Sequence, residues 1–262
     1  MKKISVYIIA YNEEDKIEAA LRSVTWADEI VVIDSYSTDR TVEIAKKYTS
    51  NIVQLTFESF GKLRNDALTH LSGEWIFSLD SDEICTPAAA EEIRSTIESA
   101  DAKDAYFIPR RNFFMGRWIK YSGWYPDYRQ PQLFRRGKMT YTMDAVHESY
   151  VLTGSIGKLT EPIAQVPFKD LEQLMFKSAR YSSLGVQRVA RDKPNSGMGT
   201  ALLHASASFI RHYLLRRGFL DGWAGFMIAF SNFEGTFYKY AKFHESRNIK
   251  HTKLEIPQSL RK

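Results

Sequence analysis

The chain has 262 residues, 44% hydrophobic and 26% charged, which suits one large globular domain or a domain with an appendage and is long enough to bury a proper core. A single cysteine, Cys85, excludes an intramolecular disulfide and makes a cytosolic location the default expectation. The formal net charge of +5 is unevenly spread. Residues 171–262 carry 15 Lys+Arg against 6 Asp+Glu, a net +9, whereas residues 1–170 are at −4. The basic third therefore suits an acidic partner, either nucleic acid or an anionic membrane leaflet.

In chain order, Ile4 to Ala10 reads as a strand whose apolar run stops at Asn12-Glu13-Glu14 without the cleavage site of a signal peptide. Asp15 to Ser23 follows as a helix with Ile17 and Leu21 on one face. Glu29 to Asp34 is a second strand, and Ser37-Thr38-Asp39 offers an N-cap before a helix over Thr41 to Tyr48. Asn51 to Phe57 is a third strand, Phe60 to Leu71 a helix, and Trp75 to Leu79 a strand running into three acids. Thr86-Pro87 caps a helix reaching Ser99, with proline at its first position. Strands alternating with helices predict an α/β fold with a mostly parallel sheet covered on both faces, and ligands at the carboxyl ends of the strands.

Past residue 170 the pattern turns helical. One apolar stripe runs from Leu171 to Val189 and breaks at Asp192-Lys193-Pro194-Asn195-Ser196-Gly197. A second runs from Leu202 to Leu214 and ends at Arg216-Arg217-Gly218, and a third carries Trp223, Phe226, Phe230, Phe233 and Phe237. The uncharged runs fall short of the roughly 20 residues a membrane-crossing helix needs. Such helices either lie in a membrane interface or pack on the first domain or a second subunit. The expected division is one α/β domain over 1–170 in two halves (1–100 and 101–170), a helical docking or packing region over 171–243, and a polar basic tail over 244–262.

Three of the strand ends carry polar residues suited to a nucleotide: Tyr11-Asn12-Glu13-Glu14, Asp34-Ser35 and Asp80-Ser81-Asp82. Asp80 and Asp82 stand two apart at a strand's end, where they can converge on one hard divalent cation that clamps a diphosphate. The plainer alternative is a solvated acidic turn. Asp34 either accepts hydrogen bonds from a base or ribose or caps the following turn. Neither G-x-G-x-x-G nor G-x-x-x-x-G-K-[ST] occurs, which argues against a dehydrogenase and a P-loop NTPase. Between Pro109 and Lys138 eight Lys and Arg face one acid, Asp127, and alternate with Phe113, Phe114, Trp118, Tyr121, Trp124, Tyr125 and Tyr128. Rings stack on sugars and arginines grip phosphate, so an anionic glycan fits; a nucleic-acid groove, where bases stack on the rings, and a half-buried strand pair with a solvated basic face fit as well.

Val6 to Glu14, Asp34-Ser35-Tyr36-Ser37-Thr38-Asp39-Arg40-Thr41 and Gly73 to Glu83, taken together, resemble an inverting family 2 glycosyltransferase of the GT-A fold. The stretches Gly123 to Arg129, Leu133 to Gly137 and Val146-His147-Glu148 resemble the branch that adds sugars to the lipopolysaccharide inner core. The resemblance implies a nucleotide-diphosphate sugar donor, by branch UDP-glucose, bound by Tyr11, Asn12, Glu13, Asp34, Arg64, Asp80 and Ser81. It also implies Mg²⁺ or Mn²⁺ held by Asp82 with Asp80 and His147, and an acceptor near Trp124, Tyr125, Arg129 and Arg135. The base is Glu148, with Asp127 the other candidate. It points to a lipid-linked glycan acceptor at the inner leaflet, so a peripheral membrane location and no nucleic acid. A sugar-1-phosphate nucleotidyltransferase and an inactive membrane-bound sugar-nucleotide module are the competing readings.

Overall fold

In the computed structural model, which describes residues 1–143 and 149–248, the first strand is buried along its whole length. Alternate side chains of a strand face opposite ways, so a strand of this kind must lie at the centre of a sheet covered on both faces. The elements run β1 (Ile4–Ala10), α1 (Ile17–Ser23), β2 (Glu29–Asp34), α2 (Thr41–Ala45), β3 (Ile52–Gln54), α3 (Phe60–Leu68), β4 (Trp75–Asp80), β5 (Glu83–Ile84) and α4 (Pro87–Glu98). Short strands follow: β6 (Ala105–Phe107), β7 (Arg110–Phe114), β8 (Arg117–Trp118), β9 (Leu133–Arg135), β10 (Met139–Tyr141), β11 (Tyr150–Leu152), β12 (Ile156–Lys158) and β13 (Ile163–Gln165).

The main sheet has the order β12-β6-β9-β4-β1-β2-β3. It is parallel except for β9, which runs antiparallel between β4 and β6. Ile4, Val6 and Ile8 pack with Ile17 and Leu21 of α1 and with Ile93 and Ile97 of α4 on one face. Tyr7 and Ile9 pack with Leu63 and Ala67 of α3 on the other. Thr86 caps α4 by accepting the Ala89 N–H, with Pro87 at the first position, as the sequence predicts. Strand β3 is shorter than predicted because its pairing with β2 ends where β2 ends, Gln54 opposite Asp34. A second sheet, β5-β13-β7-β8, begins immediately beyond the acidic motif.

The chain divides into two compact units, Met1–Pro167 and Phe168–Lys262. The second is helical: α5 (Leu171–Leu184), α6 (Val186–Asp192), α7 (Met198–Ile210) and α8 (Gly222–Asn248). A π-helical turn, Arg211–Leu215, and a 3-10 turn, Gly218–Asp221, join α7 to α8. The stripe read as one helix up to Val189 is two, parted at Gly185. Helix α8 continues to Asn248, so the start of the segment expected to be a tail is helical. Among the described residues no helix is long and apolar enough to cross a membrane.

Candidate active site

Strands β1, β2 and β4 end side by side, with Ala10 opposite Asp34 and Ile9 opposite Asp80. The two loops leaving β1 and β2 are stitched to one another. Asn12, at φ 54°, accepts the Thr38 N–H on Oδ1 at 2.8 Å and donates its own N–H to Ser37 Oγ at 2.9 Å. The Glu13 N–H donates to Thr41 Oγ1 at 2.8 Å and the Glu14 N–H to Asp39 Oδ2 at 3.1 Å. Asparagine tolerates the left-handed region better than most residues, which suits it to this turn. Tyr11 and Tyr36 project from the loops with exposed rings. Asp34 is fully buried; its two oxygens accept the Ser37 N–H at 3.3 and 3.1 Å, and Gln54 donates to Oδ2 at 3.2 Å. The carboxylate thus caps its own turn.

At the end of β4 the two aspartates differ. Asp80 is held from α3 by Arg64, which is buried rather than on the surface. Arg64 Nη2 donates to Asp80 Oδ1 at 2.8 Å and Nη1 to Ser78 Oγ at 2.9 Å. Its guanidinium lies 5.5 Å from the ring centre of Tyr141, whose hydroxyl meets that of Tyr7 at 2.9 Å. Burial works to raise the Asp80 carboxyl, but the Arg64 charge and hydrogen bond, with Arg110 and Arg129 behind them, outweigh it and hold the group below the ordinary carboxylate range. Asp82 is half-buried, and its Oδ1 accepts from Gln165 Nε2 at 3.0 Å. Ser81, between the two, is buried.

Behind the aspartates lies a fully buried ion pair. Glu83 Oε1 accepts from Arg110 Nε at 2.5 Å, while Oε2 accepts the Asp80 N–H at 3.0 Å and Gln132 Nε2 at 2.8 Å. Burial pushes the Glu83 carboxyl up to about 7 against the pull of Arg110, and the charges of Asp80 and Asp82 push the same way. Arg110 also donates to the Asp127 carbonyl at 3.4 Å. Asn112 donates to the Trp124 carbonyl at 3.1 Å and to Asp127 Oδ2 at 3.4 Å. Arg129 closes the group through a 2.9 Å ion pair with Asp127. One arginine thus ties the acidic motif to Asp127 and, through its loop, to Trp124 and Tyr125, whose rings pack on Phe114 and Trp118.

Not every predicted site residue is gathered here. Arg135 pairs with Trp75 at the opposite end of β4, stacks over that ring at 4.6 Å and meets Glu74 at 3.2 Å. The proposed base Glu148 and the proposed metal ligand His147 lie outside the described residues. Sequence reasoning missed Asn112, Gln132 and Gln165, counted Arg110 only within the basic stretch and took Glu83 only as part of an acidic run. A signal existed for two of them. Period-two alternation puts Arg110 and Asn112 on the same face as Phe114, and all three are buried.

Among the described residues no three His, Cys, Asp or Glu side chains form a metal cage. Asp80 and Asp82 are hard oxygen donors two residues apart, and such a pair fits Mg²⁺ or Mn²⁺ completed by phosphate oxygens and water. The residues present therefore fit a divalent ion that arrives with a diphosphate.

A solved structure of similar fold is residues 1-349 of TarS from S. aureus, at a TM-score of 0.50 and 16% identity over 98% of this chain and 94% of that one. The α/β architecture is accordingly GT-A like, with a C-terminal helical region. By sequence the chain is similar to the lipopolysaccharide core biosynthesis glycosyltransferase LpsC of Rhizobium meliloti, 24% identical over 258 residues that cover 94% of each protein. It is also similar to an uncharacterized glycosyltransferase of Rickettsia bellii, 28% identical over 93% of this chain and 87% of that protein. The family model for glycosyl transferase family 2 matches residues 5–153, more than half of the chain, and the protein therefore belongs to glycosyl transferase family 2.

Proposed function

We propose that the enzyme moves glucose from UDP-glucose, with inversion and with Mg²⁺ or Mn²⁺, to a hydroxyl of a lipid-linked glycan of the lipopolysaccharide core type. The observation that carries this reading is the end of β4, where an arginine-locked Asp80 lies in register with the ends of β1 and β2 and a half-buried Asp82 follows two residues on. Similarity to LpsC over almost the whole of both chains supports the acceptor class. Asp80 and Asp82 are the residues that would hold the ion, which when bound supplies Lewis-acid stabilisation of the leaving diphosphate.

The protein's own residues do the rest. Tyr11 offers an exposed ring to the base, and Asn12 and Glu13 line the loop beside it. Arg64 keeps Asp80 ionised and oriented, so that end of the site needs no reorganisation when charge builds on the diphosphate. Glu148 takes the proton of the acceptor hydroxyl as that oxygen bonds to the anomeric carbon and the sugar–phosphate bond opposite it breaks. Asp127, oriented by Asn112 and Arg129, binds acceptor hydroxyls beside Trp124 and Tyr125.

The test is turnover of a panel of UDP-, GDP- and ADP-sugars by the purified protein with Mn²⁺ or with EDTA, following nucleotide release and thermal shift. A metal-dependent shift with one donor, abolished in Asp82→Ala, is the expected result. Release that survives Asp82→Ala and stops in Glu148→Ala would move the metal elsewhere. Absence of any shift would overturn the donor assignment.

A further inference from the structure

The exposed apolar side chains of the second unit concentrate where α7 turns into α8. Leu214, Leu215, Phe219, Leu220 and Trp223 are all exposed, Leu215 at 75% and Trp223 at 63%. Single exposed hydrophobic residues are ordinary, but a cluster of this kind marks a surface that something covers. The turn carrying them is firmly built. Tyr213 and Trp223 pack on Phe226 with ring centres 5.8 and 5.3 Å away, and Phe219 packs on Tyr213 at 6.3 Å. Gly218 presses its carbonyl so closely on Gly225 that any side chain at 225 would collide with it. Arg217 turns the chain with φ 55°.

Charge identifies what covers the tip. Arg211, Arg216 and Arg217 are exposed around it, and the one acid among residues 210–223, Asp221, is buried. Within residues 210–223 the surface therefore offers apolar side chains and cations together, without an exposed carboxylate. We infer that this tip is a membrane anchor that seats Leu215, Leu220 and Trp223 at the headgroup–acyl boundary of an anionic leaflet, with the three arginines on lipid phosphates. A second copy of the chain fits the tip poorly, because a two-fold pairing would set the same three arginines against themselves. The inference stands on the second unit alone; it deepens the proposed function by saying how a lipid-linked acceptor is reached, and its readout does not use the reaction.

The experiment is co-sedimentation of the 262-residue chain with phosphatidylcholine vesicles, with and without phosphatidylglycerol, together with quenching of tryptophan fluorescence by brominated lipid. The expected result is binding that needs the anionic lipid and weakens with salt, with quenching lost in Trp223→Phe. Arg216→Gln/Arg217→Gln should bind about 30-fold more weakly, two arginines at about 1 kcal/mol each. Leu215→Ser/Leu220→Ser should bind below detection while melting at the wild-type temperature. Equal binding by wild type and both double variants would overturn the inference, as would vesicle-independent dimers that Leu215→Ser dissolves. Donor turnover lost with vesicle binding intact would count against the proposed reaction and leave the anchor standing.

Discussion

At the ends of β1, β2 and β4 the charged groups are turned inward, whereas at the turn between α7 and α8 the apolar groups are turned outward. Arg64, Glu83, Arg110 and Asp34 are all buried in the first region, and each has named hydrogen-bond partners. In the second, Leu215 and Trp223 face solvent among arginines. Burying an ion pair costs desolvation that its attraction only partly offsets, so such a pair secures geometry more than stability. Exposing leucine and tryptophan leaves apolar area uncovered, the area that the inferred anchor would use for adhesion. One region is built to hold atoms still; the other, on that inference, meets a membrane.

The sharpest way to break that contrast is to unpair the buried charge. Arg110→Met leaves Glu83 without its ion-pair partner and should cost about 3–5 kcal/mol in urea unfolding. A loss under about 1 kcal/mol would mean that the pair is not closed as described. Asp82→Asn should instead leave the unfolding curve nearly unchanged and cut donor turnover by about 10²–10³-fold, the usual effect of removing one preorganised electrostatic stabiliser.

The pH dependence separates Glu83 from Asp80. Glu83 sits at about 7 in the folded protein against an ordinary 4.5. The folded state keeps a proton that the unfolded chain has released, so this contribution is complete below pH 4.5 and is lost as pH rises to about 7. Asp80 is lowered from 3.8, so its contribution is present above that value and is lost as pH falls through the folded value. Urea midpoints compared between wild type and Glu83→Gln should therefore diverge across the window from 4.5 to about 7, and parallel curves would remove Glu83 from the account. The smallest effect belongs to the tip: Leu215→Ser should change stability by no more than about 0.5 kcal/mol, as exposed positions do.

Strands β1, β2 and β4 were legible because each is a mainly apolar run closed by turn residues, and Thr86-Pro87 announces its helix. The short strands from β5 onward were not, since β5, β8 and β9 are two or three residues long and too short to display a period. The buried state of Arg64 was invisible for another reason. A helix position does not disclose a carboxylate waiting at the end of a distant strand, and only the fold brings Asp80 within 2.8 Å. The basic, aromatic stretch misled at Arg135 because neighbours in sequence part company in space: Asp127 lies with the acidic motif, while β9 carries Arg135 to the far end of β4.

The antiparallel placement of β9 also bears on how the protein is made. Strand β4 lies next to β9 on one side, through Phe77 opposite Leu133 and Trp75 opposite Arg135, yet β9 leaves the ribosome more than fifty residues after β4. At synthesis rates of about 5–20 residues per second, the Trp75-Ile76-Phe77 edge waits on the order of several seconds for its partner. An apolar strand with an open edge is a template for pairing with another chain. Pauses in translation between Ser81 and Gln132 would lengthen that wait and lower the yield of folded enzyme.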